Sequence, residues 1–147
     1  MSRNRFRLQK ILAVRQVLEQ KLQKEFMLSK REMVTEEEHF LKLKTEKTDF
    51  TQKMVEINQP TVSFMQCHYD YLSFLDNKIK DRKLTLGKAQ KAYEQKRQQL
   101  LEASKERQIL EKLREKHAER TLQKQNKEEQ KFFDEIASRS LAEKTIL

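Results

Sequence analysis

The residue types able to do chemistry meet at one point only, where Cys67, His68 and Asp70 bring a thiol, an imidazole and a carboxylate within four positions. A metal needs convergent ligands, and adjacent residues of a helix point in different directions; no second ligand pair stands beside these at helical or finger spacing. His39, His68 and His117 therefore read as surface or seam histidines. The single cysteine has no internal disulfide partner, which fits a reducing compartment. One glycine in the whole chain is too few for a phosphate-cradling loop or a dinucleotide fingerprint. The many carboxylates lie along solvated helix faces and not in a concave site. The chain reads as a non-enzyme, with no metal and no cofactor.

What remains is the chemistry of binding. The run Tyr69-Asp70-Tyr71-Leu72-Ser73-Phe74-Leu75 holds more aromatic and apolar surface than one helix seam buries, so it reads either as a thickened core or as a partner patch. The formal charge of +9 is uneven: residues 1–31 carry nine basic side chains against Glu19 and Glu25, whereas residues 32–60 carry four against seven. Arg3, Arg5, Arg7, Lys10 and Arg15 make a basic N-terminal face suited to an acidic partner surface. The first 18 residues are arginine-rich, amphipathic and free of acids, as in a mitochondrial transit peptide, but the helical period runs through Leu18 and Leu22 without a processing-like break. No run near 18 apolar residues and no signal-peptide core is present, so no membrane span is expected.

The elements that position these residues follow from composition. At 147 residues, 37% charged and 36% hydrophobic, with one glycine and one proline, the chain has the balance of long solvated helices and leaves no room for a sheet. The only proline falls in Asn58-Gln59-Pro60-Thr61, where its missing amide and its ring must stop a helix. The fold expected is all-α: two long helices forming an antiparallel coiled-coil hairpin, the second longer and overhanging the first. As one domain over 1–147 it has helix 1 at about 4–57, a turn at 58–61, helix 2 at about 62–139 and a frayed tail at 140–147.

Stepping alternately by four and three from Leu22 reaches Phe26, Ser29, Met33, Glu36, Phe40, Leu43, Lys47, Phe50, Met54 and Ile57, eight of the eleven being apolar. Upstream, Leu8, Ile11, Arg15 and Leu18 continue the seam in a shifted register, which predicts a stutter at Leu18, Leu22 and Phe26. From Met65 the same stepping passes His68, Leu72, Leu75, Ile79, Arg82, Leu86, Ala89, Tyr93, Lys96, Leu100, Ala103, Arg107, Leu110, Arg114 and His117. Beyond Leu110 the seam weakens, and fraying is expected from about Thr121. Gly87, inside the second helix, reads as a tolerated glycine in preference to a hinge.

Several segments together resemble the FliJ family, the soluble coiled-coil component of the flagellar type III export apparatus. They are Phe6-Arg7-Leu8-Gln9-Lys10-Ile11-Leu12-Ala13-Val14-Arg15; Tyr71-Leu72-Ser73-Phe74-Leu75-Asp76-Asn77-Lys78-Ile79; Ala92-Tyr93-Glu94-Gln95-Lys96-Arg97, leading to Arg107-Gln108-Ile109-Leu110-Glu111-Lys112-Leu113-Arg114-Glu115-Lys116; and Lys131-Phe132-Phe133-Asp134-Glu135-Ile136-Ala137. Their joint order along nearly the whole chain carries the resemblance. It implies a non-enzymatic stalk that binds the flagellar export ATPase hexamer and links it to the export-gate membrane protein and to export chaperones. Such a protein is cytoplasmic and peripheral at the inner face of the membrane. The resemblance implies ATPase docking by Arg5, Arg7, Lys10 and Arg15 with Arg107, Lys112 and Arg114, and a gate-facing patch of Tyr71, Phe74 and Lys78. Two other classes share parts of the pattern: a stalk of a non-flagellar type III secretion system, and a basic coiled coil that is structural or binds nucleic acid. The continuous base-reading basic helix of a groove-binding protein is missing, which argues against nucleic acid.

Overall fold

The structure is a computed structural model that describes residues 6–146. Two helices, α1 (Gln9–Val55) and α2 (Val62–Ile146), pack against each other as an antiparallel hairpin. With 85 residues against 47, α2 is the longer.

α1 begins at Gln9, later than the expected start at about 4, and Phe6 O accepts the Gln9 amide at 3.1 Å in a turn ahead of it. Its first turn holds no acid, and basic Arg7 and Lys10 stand at the positive end of the helix dipole, so extension toward the N-terminus is disfavoured. α1 ends at Val55, and Ile57 N donates to Met54 O at 3.3 Å in a tightened last turn. Gln59, excluded from the right-handed region by Pro60, takes the left-handed one, with φ 55°. Thr61 then caps α2, its Oγ1 accepting from Phe64 N at 3.2 Å. A left-handed conformation costs a non-glycine residue about 1–2 kcal/mol. Gln59→Gly is therefore expected to stabilise the protein by up to about 1 kcal/mol once the extra chain entropy of glycine is offset. A denaturant titration that showed destabilisation would remove the strain argument.

The contacts divide the chain into two compact units, residues 20–102 and residues 1–19 with 103–147. In the first, residue numbers on α2 fall as those on α1 rise: Phe26 lies 5.2 Å from Tyr93, Glu36 pairs with Arg82 at 3.3 Å, and Phe50 stacks on His68 at 4.2 Å. Leu75 is only 1% exposed, and Ser29 and His68 are buried beside the apolar layers. Ion pairs replace apolar contacts where the seam is charged, as with Lys47 on Asp76 and Lys96 on Glu25 at 2.9 Å. The hydrogen bond from Lys96, with its charge, holds the Glu25 carboxyl below the usual carboxylate range.

In the second unit the N-terminal part of α1 packs on α2 between Ala103 and Thr121, short of the end of α2. Leu12 is 0% exposed and Ala103 is buried, Phe6 lies 5.7 Å from His117, and Arg15 pairs with Glu106. Arg107 donates to Glu19 and, at 2.8 Å, to Glu111, and these bonds push its pKa further up.

Two sequence expectations are corrected here. The seam of α1 runs Leu8, Leu12, Arg15, Glu19, Leu22, Phe26 and Ser29, all buried or half-buried, while Ile11 and Leu18 are exposed. The heptad is unbroken and there is no stutter, because the charged Glu19 occupies a seam position by pairing with Arg107. The second correction concerns the tail: α2 continues to Ile146 and does not end near 139. Residues 122–146 contain no glycine or proline and are rich in Lys, Glu and Gln, whose propensity sustains a helix with every side chain exposed. The apolar members of this stretch, Leu122, Phe132, Phe133, Ile136 and Leu141, are open to solvent. A Cβ at Gly87 would meet nothing within 4 Å, and the residue has an ordinary helical φ, as a merely tolerated glycine requires.

Candidate partner-docking surfaces

The basic candidates are sorted by their internal pairing. Arg7, Lys10, Lys112 and Arg114 are exposed in the second unit, and Arg5 lies outside the described residues. Arg15 is half-buried and held by Glu106. Arg107 is the most enclosed, with two carboxylates on its guanidinium, so its fork is already occupied inside the protein. One end of the pairing thus combines a braced ionic layer, Glu19, Arg107 and Glu111, with the exposed cations Arg7, Lys10, Lys112 and Arg114, none of which takes part in an ion pair among the described residues. Cations with no competing carboxylate at hydrogen-bond distance keep their full charge for an acidic surface.

Tyr71, Phe74 and Lys78 do share one flank of the hairpin unit. Tyr71 donates its hydroxyl to Glu46 Oε1 at 2.8 Å, which raises its pKa, and it meets Phe50 edge-on at 4.5 Å. Phe74 lies 6.2 Å from Tyr71 and is exposed, with the Lys78 ammonium over its ring at 4.6 Å. Tyr71 is therefore the fixed member, anchored across the seam, and Phe74 with Lys78 is the open cation–π pair.

Around the turn the structure corrects two seam assignments, since Ile57 and Met65 are exposed, and adds the exposed Val55, Val62 and Phe64, which no motif had singled out, beside Tyr69 of the aromatic run. The signal was available in the sequence as an absence: residues 57–69 hold no Asp, Glu, Lys or Arg in a chain that is 37% charged. Periodicity hid it, since the turn interrupts the heptad there.

Among the described residues no group of His, Cys, Asp and Glu is placed to hold a metal ion. Cys67 is exposed, whereas His68 turns inward onto Phe50, so the thiol and the imidazole diverge. Among the same residues no helix is long and apolar enough to cross a membrane.

Residues 4–145 match the model of the family described as "Flagellar FliJ protein". No curated protein and no solved structure matches the chain.

Proposed function

The chain belongs to the flagellar FliJ family, and we propose that it is the non-enzymatic coiled-coil stalk of flagellar type III protein export, docking on the export ATPase hexamer. The match over residues 4–145 carries this reading, because it spans both helices, the turn and the overhang of α2 together. On this reading the N-terminal part of α1 and the segment of α2 packed on it enter the ATPase ring, where Arg5, Arg7, Lys10, Lys112 and Arg114 meet acidic pore residues. Arg15 and Arg107 brace that end from within through Glu106, Glu19 and Glu111. Phe74, Lys78 and Tyr71 face the export-gate membrane protein, and the exposed helix beyond Thr121 is left for export chaperones. The protein is then cytoplasmic and peripheral to the inner membrane, held there by its partners. Its role is mechanical and electrostatic: a helix pair locked by cross-seam ion pairs keeps its cations in a fixed pattern for the ring.

The test is ATP hydrolysis by the purified export ATPase of the same organism, titrated with this chain at two salt concentrations. Stimulation that saturates near one chain per hexamer and weakens with salt is expected. The triple variant Arg7→Glu, Lys10→Glu, Arg114→Glu changes only exposed side chains and is expected to abolish it. Unchanged stimulation by a folded triple variant would remove this end as the docking surface.

A further inference from the structure

A second row of residues on α1 is exposed along its whole length. It contains Gln20, Met27, Val34, Leu41 and Thr48, one residue in seven through the hairpin unit, and no member of it is charged. The row lies about 100° around the helix from seam residues Phe26, Met33 and Phe40, each of which it follows by one position. α2 therefore leaves it open: Met27 is 48% exposed, Val34 40% and Leu41 61%. An open groove of about 570 Å³ accompanies its N-terminal half, lined by Gln20, Gln23, Lys24, Met27, Leu28 and Arg31.

The rows of charge on either side identify what covers it. One flank reads Gln23, Lys30, Glu37, Lys44; the other reads Lys24, Arg31, Glu38, Thr45. Both change sign at Val34. A two-fold axis through Val34 that sets two copies of α1 antiparallel places Val34 on Val34 and Met27 on Leu41. It also places Lys30 against Glu37 of the second copy and Arg31 against Glu38 of the second copy, each pair occurring twice. The outer positions meet as Gln23 with Lys44 and Lys24 with Thr45, so no like charges face each other. A parallel pairing in register would instead bring the two basic turns together and the two acidic turns together. None of Lys30, Arg31, Glu37 and Glu38 takes part in an ion pair among the described residues. An isologous surface needs self-complementarity of this kind, and flanking charges set both partner choice and direction.

We propose that this face of α1 binds a second copy of the chain, antiparallel about Val34, to form a four-helix dimer of hairpins. The inference is independent of the stalk reading, since it uses no residue assigned to docking. The row is narrow and the ion pairs are exposed, so the dimer is weak, salt-sensitive and concentration-dependent.

The test is solution mass by analytical ultracentrifugation over a concentration series, with helicity recorded for every variant. The wild-type chain is expected to shift from one chain to two as concentration rises. Val34→Arg is expected to hold it at one, as is either Lys30→Glu with Arg31→Glu or Glu37→Lys with Glu38→Lys, each weakening self-association by about tenfold or more. An equimolar mixture of the two charge variants is expected to dimerise again, because at positions 30, 31, 37 and 38 one now presents only acids and the other only bases. A wild-type mass of one chain at every concentration would overturn the proposal. So would a dimer that Val34→Arg and both charge variants leave unchanged, which would place self-association elsewhere, or a mixture of the charge variants that stays monomeric.

Discussion

Leu12→Ala is expected to destabilise the paired helices of the second unit by about 2–5 kcal/mol, whereas Ile11→Ala is expected to cost less than about 1 kcal/mol. The two residues are adjacent, apolar and of equal size. Leu12 is fully buried while Ile11 is 47% exposed, so only the first leaves a cavity. Leu75→Ala is the counterpart in the hairpin unit, where Leu75 is 1% exposed, and the same range applies. A coiled coil has few layers behind any one seam residue, so the surrounding side chains close part of the void and the lower half of the range is the better guide. Denaturant titration gives the totals. Amide hydrogen exchange locates them: Leu12→Ala is expected to speed exchange around residues 9–19 and 103–121. A larger cost at Ile11 than at Leu12 would instead put Ile11 on the seam, in the shifted register read from the apolar pattern.

The second large effect is expected from Arg107→Glu, which sets a new carboxylate beside Glu19 and Glu111 in a half-buried position. Three like charges then occupy the site of one charge-neutralising fork, and both original carboxylates lose a hydrogen-bond donor. The paired helices there are expected to open, seen as a lowered melting temperature with exchange rising in the same segments. Arg107→Met, which removes the charge but keeps much of the side-chain volume, is expected to be milder. The decisive variant is Glu19→Arg combined with Arg107→Glu, which restores one cross-seam attraction and is expected to recover part of the loss. Absence of any recovery would show that the pair's order, and not its charge alone, is fixed by neighbours such as Arg15 and Glu106. The same experiment separates bracing from docking. If Arg107→Glu with Glu19→Arg restores stability but the ATPase stays unstimulated, the guanidinium reaches the ring itself.

Composition and a single proline decide the architecture of this chain. With one glycine, one proline and two long heptad runs, the sequence reads as two helices joined by a turn at 58–61, and the structure joins them across residues 56–61. The seam from Leu22 to Met54, and most of that in α2 from His68 to His117, was legible for the same reason: burial follows a period of seven, and apolar residues mark it. The cations of the basic face were legible as a composition.

Tertiary structure decided what the pattern could not carry. Glu19 is a seam residue although it is charged, because Arg107 arrives opposite it, and a residue 88 positions away leaves no trace in a local period. The same pairing takes Arg107 out of the exposed cations that the sequence alone would have grouped together. The row through Met27, Val34 and Leu41 was printed in the sequence all along. It became a surface only once α2 was seen to cover the neighbouring row, because exposure belongs to a packed pair of helices and not to either helix alone.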